Sequence, residues 1–396
     1  MSLSNTRFSD NHLNNNLKLI SPSGIRKFFD ILFSLDGVVS LGIGEPDFVT
    51  PRHIRDAATY ALEKGYTMYS SNYGLIELRQ ELSQHLKTHY NVNYEPENEI
   101  LITVGTSQGL DIALRAIINP GDEIIIPDPC YVAYSPCIVL AGGVPVPVLT
   151  SIENDFSIKA SDIEKCITNK TKAILIGYPS NPTGAIVLVE ELNKIAALAE
   201  KYNILVISDE IYSRLVYGVT HTCFSSISGI KDKTILLGGF SKTYAMTGWR
   251  IGYVAANRDF IEAMTRIHQY TMLCAPIMVQ MAAIEALRHG EEDIRMMVNE
   301  YDRRRRLLVN GLNSIGLKCF EPSGAFYAFP SIRATGMTSD EFSEKLLMEG
   351  KVAVIPGSAF GSGGEGFVRC SYATPSINIE KALDRMSKFV TKYNRV

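Results

Sequence analysis

The chain has 396 residues, 46% hydrophobic and 20% charged, with 39 Lys+Arg against 42 Asp+Glu for a formal net charge of −3. At about 150 residues per domain, that length predicts two domains or three. The apolar share is enough for large cores and excludes a disordered, collagen-like or coiled-coil chain. The charge balance lacks the basic surplus of nucleic-acid binders, so no nucleic-acid partner is expected. No apolar run reaches the roughly 18 residues of a membrane span; the longest, residues 136–149, is interrupted by Gly142, Gly143, Pro145 and Pro147. The polar N-terminal stretch has no apolar h-region, so no secretory leader is expected. Seven widely spaced cysteines without a CxxC pair predict reduced thiols in a cytoplasm rather than a disulfide framework or a metal site.

In chain order, the Asn/Ser-rich start, to about residue 16, is expected to fray. Ser21-Pro22-Ser23 reads as a helix start, with Ile25, Phe28, Phe29 and Leu32 on one face. A short strand over 38–41 runs into the turn Gly42-Ile43-Gly44-Glu45-Pro46. A helix over 51–64 has Pro51 near its start and Gly65 at its end, and Leu75, Leu78, Leu82 and Leu86 mark another. From Glu99 onward strands and helices alternate: strand 100–104, helix 107–118, strand 123–127, helix 131–140, strand 144–149, strand 172–177 and helix 189–201. Further strands are expected over 204–208, 234–238 and 251–255. Short apolar runs alternating with helices predict an α/β fold with a parallel sheet covered on both faces. The last third changes character, with helices 278–289 and 291–312, short strands near 326–329, 352–355 and 367–371, and helices 339–348 and 379–393. It reads as a smaller α+β domain.

Three local patterns have plain readings. Residues 361–366 satisfy GxGxxG but precede a strand instead of following one, so they read as a flexible loop, not a dinucleotide fingerprint. His85 and His89 are spaced as in HExxH, but Leu86 stands where that motif needs its general base; they read as solvated helix residues. The run Arg303 to Arg306 reads as the solvated face of a helix.

Ligands of parallel sheets bind beyond the carboxyl ends of the strands. Gly105-Thr106-Ser107-Gln108 stands after one strand and Tyr178-Pro179-Ser180-Asn181-Pro182-Thr183-Gly184 after another. Asp209-Glu210-Ile211-Tyr212 follows a third, and Ser241 and Lys242 follow a fourth, with Arg250 eight residues on. Turn chemistry accounts for each singly but not for their joint placement. A lysine there can form a Schiff base with a carbonyl compound. A carboxylate can hold a proton on a pyridine nitrogen. A helix N-terminus with hydroxyls and an arginine can cradle a phosphate. Phosphate, pyridine and aldehyde together describe pyridoxal 5'-phosphate.

With these residues the sequence resembles the fold-type I pyridoxal-phosphate enzymes, specifically the class I/II aminotransferases, from Ser21 to the C-terminus. The resemblance rests on GEPDF (Gly44 to Phe48), YPSNPTG (Tyr178 to Gly184), SDEIY (Ser208 to Tyr212), SKTYAMTGWRIG (Ser241 to Gly252) and VRCSYA (Val368 to Ala373). SGIRKF (Ser23 to Phe28) and PSGAFYAFP (Pro322 to Pro330) make it similar to the bacterial aromatic and N-acetyl-L,L-diaminopimelate aminotransferases. The resemblance implies a mostly parallel seven-stranded sheet in a large cofactor-binding domain, residues 47–289, and a smaller domain built from residues 1–46 and 290–396. It implies that Lys242 carries the cofactor and shuttles a proton, that Asp209 keeps the pyridine nitrogen protonated, and that Asn181 and Tyr212 bond the ring oxygen. Tyr131 stacks on the ring, while Gly105, Thr106, Ser107, Ser241 and Arg250 bind the phosphate. Arg369 holds the substrate α-carboxylate, helped by Asn181 and the backbone at Gly44. Tyr69 reaches the phosphate of a neighbouring subunit in a homodimer. No residue is assigned to a second, side-chain carboxylate.

The activity so implied is exchange of an amino group between an L-amino acid, of aromatic or N-acetyl-diaminopimelate type, and a 2-oxo acid such as 2-oxoglutarate. A C–S β-lyase would use the same cofactor residues. A non-catalytic cofactor-binding regulator is a different class; about 20 polar residues before the domain are too few for a DNA-binding module. A nicotinamide dehydrogenase lacks its fingerprint.

Overall fold

The computed structural model describes residues 12–20 and 36–393. The helix expected from Ser21-Pro22-Ser23 and the SGIRKF segment lie outside the described residues. After a 3-10 turn over Asn15–Leu19, the described strands are β1 (Val39–Ser40), β2 (Ile100–Thr103), β3 (Glu123–Asp128), β4 (Val144–Leu149), β5 (Thr171–Gly177), β6 (Leu205–Asp209), β7 (Thr234–Gly239), β8 (Gly252–Ala255), β9 (Tyr327–Ala328), β10 (Val352–Ala353), β11 (Ile355–Pro356) and β12 (Val368–Ser371). The helices are α1 (Arg52–Glu63), α2 (Ile76–Tyr90), α3 (Thr106–Ile117), α4 (Tyr134–Leu140), α5 (Ala160–Cys166), α6 (Val189–Tyr202), α7 (Arg258–Thr271), α8 (Ile277–His289), α9 (Glu291–Ser314), α10 (Ser339–Lys345) and α11 (Ser376–Tyr393).

Seven strands form one sheet in the order β2-β8-β7-β6-β5-β3-β4. All neighbours pair in parallel except β8, which runs antiparallel to both β2 and β7. In β5, Ala173, Ile174, Leu175 and Ile176 are all buried, as a strand covered on both faces requires. Each such Ile or Leu contributes about 1.5–3 kcal/mol by leaving water. Two smaller sheets accompany it, the parallel pair β1–β10 and the antiparallel set β11-β12-β9.

Several expectations need correction. Helix α7 has no counterpart among the expected elements, although Ile261, Met264, Thr265 and His268 form its buried stripe and the Asn257 side chain caps it by accepting from Asp259 N at 3.1 Å. The short helix α5 has none either. The helix expected over 131–140 starts only at Tyr134, because residues 131–133 turn back and Tyr131 and Val132 line a cavity instead. The helix expected over 339–348 is α-helical only to Lys345 and closes with a π turn, Leu346–Gly350.

The GxGxxG segment is anchored, not flexible. Ser362 N and Oγ donate to Asp128 Oδ2 (3.1 and 2.7 Å), and Gly363 N donates to Oδ1 at 3.0 Å. His85 is not a solvated residue: its ring packs on His89, with centroids 4.5 Å apart, and burial pushes its pKa down to about 3. The arginine run is split. Arg303 and Arg306 face solvent, but Arg304 and Arg305 are 7% and 5% exposed and paired with Asp47 and Asp302. A helix turns about 100° per residue, so four consecutive side chains cannot share one face.

None of the seven cysteines is in a disulfide. Among the described residues, no helix is long and apolar enough to cross a membrane and no cluster of His, Cys, Asp or Glu could hold a metal ion.

Candidate active site

At the carboxyl ends of β5, β6 and β7 lies a cavity of about 480 Å³. Its lining includes Gly44, Thr106, Ser107, Tyr131, Asn181, Asp209, Tyr212, Ser241, Lys242, Arg250 and Arg369. Two expected residues stand apart. Gly105 lies just behind the wall as the N-cap of α3, and Tyr69 is 79% exposed and outside the cavity.

Asp209 ends β6 and is 7% exposed. Burial raises its pKa to about 6, against hydrogen bonds donated by Tyr134 Oη at 2.9 Å and Ile211 N at 3.3 Å. Tyr134 is not among the residues expected from the sequence; its signal there is the Tyr131-x-x-Tyr134 spacing just beyond β3. Gly177 is required opposite it, since a Cβ there would collide with Tyr134 Oη.

The phosphate-type end is built from backbone. Gly105, at φ 78, turns the chain from β2 into α3, whose first turn points free N–H groups at the cavity from Thr106 and Ser107. A Cβ on Gly105 would sit 2.6 Å from Arg250 Nη2, so only glycine lets the guanidinium lie there. Arg250 Nη1 donates to the Thr247 carbonyl at 2.9 Å, and among the described residues no carboxylate pairs with it. A helix N-terminus beside an unneutralised arginine is a site for a dianion.

Lys242 follows β7, and its Nζ donates to the Gly44 carbonyl at 2.7 Å. Burial lowers its pKa to about 8, reinforced by Arg369 and Arg250 and opposed by Glu45. In the cofactor-free protein, modification of Lys242 by trinitrobenzenesulfonate should therefore rise with pH through a midpoint near 8, because the neutral amine is the nucleophile. A midpoint near the ordinary lysine value of 10.5 would contradict the burial argument.

Arg369, on β12, is held as a flat plate. Its guanidinium carbon lies 4.5 Å from the Tyr327 ring centroid and 4.9 Å from that of Phe360. Nη1 donates to Asn181 Oδ1 at 2.9 Å and Nη2 to the Gly42 carbonyl at 2.8 Å, while the buried Nε has no partner. An orphaned donor on a buried cation with no carboxylate partner among the described residues fits an incoming carboxylate.

The donor set therefore fits pyridoxal phosphate: a dianion cradle, a buried carboxylate for a pyridinium, a reactive amine and an arginine for a substrate carboxylate. Known proteins point the same way. The family of class I and II aminotransferases matches residues 36–386. The aspartate aminotransferase of Pyrococcus abyssi is 47% identical over 95% of this chain and 97% of its own. An aromatic-amino-acid aminotransferase of Thermococcus litoralis is 45% identical over 95% of this chain and 97% of its own. The crystal structure of the aromatic aminotransferase from Pyrococcus horikoshii superposes with a TM-score of 0.89 at 43% identity, covering 92% of this chain and 99% of that one. The chain belongs to the class I and II aminotransferases: it is a pyridoxal-phosphate-dependent enzyme that moves an amino group between an amino acid and a 2-oxo acid.

Proposed function

We propose that Lys242 is the lysine that holds the cofactor's aldehyde carbon and then carries the proton at substrate Cα. The observation that carries this reading is one cavity containing a part-buried amine with its pKa lowered to about 8 and a buried carboxylate, Asp209. Bound there, pyridoxal phosphate supplies an electron sink for charge developing at Cα. A lysine Nζ near pKa 8 is suited to take that proton and return it near neutral pH. Asp209 would hold a proton on the pyridine nitrogen, and Tyr134 Oη would keep its carboxylate in line. Tyr212 and Asn181 would bond the ring oxygen and Tyr131 would cover one ring face. Gly105, Thr106, Ser107, Ser241 and Arg250 would take the phosphate. Arg369, with Asn181 and the Gly44 backbone beside it, would grip the α-carboxylate and so orient the Cα–H bond.

Replacing Arg369 by lysine should raise KM for both amino donor and oxo acid, because lysine keeps the charge and loses the planar fork. The expected loss is about 1.5–3 kcal/mol, the size of a charged hydrogen bond. Unchanged KM for both partners would show that the carboxylate is bound elsewhere.

The physiological pair we propose is an aromatic amino acid or N-acetyl-diaminopimelate with 2-oxoglutarate, in the cytoplasm; the aromatic names of relatives and the unpaired thiols support this. A panel of amino donors tests it, following the cofactor's visible absorbance donor by donor. No response to either donor class would reject the substrate assignment, and release of ammonia with pyruvate would mark a β-lyase instead.

We further propose two domains, residues 47–289 and residues 1–46 with 290–396, in a homodimer with shared sites. Pairing of β1 with β10 supports the first division. Exposed Met68, Tyr69, Tyr270 and Met272, on segments joined by Asn72 Nδ2 donating to the Leu273 carbonyl at 2.8 Å, support the second. Mixing Tyr69→Ala and Lys242→Ala subunits should restore activity toward about one quarter of wild type, since half the dimers carry one intact site. No recovery, with mixed dimers present, would contradict sharing.

A further inference from the structure

Tyr327, at the start of β9, lines the cavity and is fully buried. Its ring lies under the Arg369 guanidinium at 4.5 Å. Its hydroxyl stands 2.9 Å from Tyr212 Oη and 3.3 Å from the Gly44 carbonyl, the same carbonyl that accepts from Lys242 Nζ at 2.7 Å. One side chain thus touches three of the groups assigned above, and its backbone pairs with Ser371 on the strand that carries the carboxylate arginine.

We infer that Tyr327 is a positioning residue with two separable tasks: its ring sets the plane of Arg369, and its hydroxyl governs where the proton of Tyr212 points. The inference rests on the proposed roles of Arg369 and Tyr212. A phenol has one proton and can also accept. When Tyr327 donates to Gly44, its oxygen draws the Tyr212 proton toward itself. When Tyr327 donates to Tyr212, the Tyr212 proton is turned into the cavity. The hydroxyl therefore keeps Tyr212 from being a permanent donor to the cofactor's ring oxygen, and the Gly44 carbonyl, shared with Lys242, biases the choice. The ring acts separately: the guanidinium is planar by its own bonding, and the rings of Tyr327 and Phe360 packed against it fix how that plane is turned toward the cavity.

The experiment uses the holoenzyme of Tyr327→Phe, which keeps ring and volume, and of Tyr327→Leu, with Tyr327→Met in its place if the leucine protein does not fold. One readout is the pH midpoint of the bound cofactor's visible absorbance. The other is the dissociation constant of 3-phenylpropionate, a carboxylate without an amine. In Tyr327→Phe the Tyr212 proton is left only the cavity, which favours the less protonated form of the cofactor. The midpoint should fall by about a half to one pH unit, while 3-phenylpropionate binding stays within about twofold. Without the ring, 3-phenylpropionate should bind about 3- to 30-fold more weakly. A midpoint in Tyr327→Phe that is unmoved or raised, or analogue binding weakened equally by Phe and Leu, would overturn the inference. Tyr212→Phe and Arg369→Lys run alongside. If they move the midpoint and the binding respectively and Tyr327 does not, only this inference fails; if they too are silent, the roles of Tyr212 and Arg369 fall with it.

Discussion

Lys242→Ala is expected to reduce turnover below about 10⁻⁴ of wild type, the upper range for loss of a general acid–base group, to which the lost attachment of the cofactor adds. The fold should survive, because the side chain's one hydrogen bond goes to the Gly44 carbonyl and not into a core network. The alanine protein should still bind pyridoxal phosphate without covalent attachment, through α3, Arg250 and Asp209, so its cofactor should leave on dialysis. Exogenous amines should return part of the activity, since the proton at Cα needs a base and not this backbone. Wild-type kcat in Lys242→Ala would remove the residue from the mechanism.

Asp209→Asn should lower kcat by about two orders of magnitude, because an amide cannot keep the pyridine nitrogen protonated and a charged hydrogen bond of up to about 3 kcal/mol is lost. Its effect on stability should run the other way. Burial raises the Asp209 pKa from 3.8 to about 6, so in the cofactor-free chain the folded state resists ionisation that the unfolded state accepts. Stability contributed by this group is therefore present below pH 3.8 and is lost as pH rises to about 6. The asparagine protein escapes that loss, and without cofactor it should be more stable at about pH 8 by on the order of 2–3 kcal/mol. Cofactor binding by wild type should weaken as pH falls through 6, where the carboxylate takes up its proton. Equal melting temperatures of the two cofactor-free proteins at that alkaline pH, or near wild-type kcat in the variant, would contradict the assignment. A group that costs stability and is retained in a cavity is the pattern expected of a working residue.

Much of this site is legible in the sequence because β5, β6 and β7 are short apolar runs, and the polar segment after each one stands out against them. Tyr178 to Gly184, Asp209 to Tyr212 and Ser241-Lys242 lie where a parallel sheet binds its ligands. Tyr134 and Tyr327 are not legible, since their tasks come from contacts across the fold: Tyr134 Oη meets Asp209 and Tyr327 Oη meets Tyr212 only after the strands assemble. Arg304 and Arg305 escape the sequence for the same reason. The charge run is visible, but which two of four side chains turn inward depends on helix phase against Asp47 and Asp302. Helix α7 carries its buried stripe in the sequence, yet Arg258, Asp259, Glu262 and Arg266 dilute the apolar signal. The GxGxxG segment shows the converse: glycines that read as a flexible loop are there so that backbone amides can close on Asp128.

The most direct measurement of the central claim is borohydride reduction of the native holoenzyme, with peptide mapping of the attached cofactor. The label is expected on Lys242 alone, with the Lys242→Ala protein unlabelled under the same conditions. A label on any other lysine, or equal labelling of the alanine protein, would contradict the placement of the active site at the end of β7.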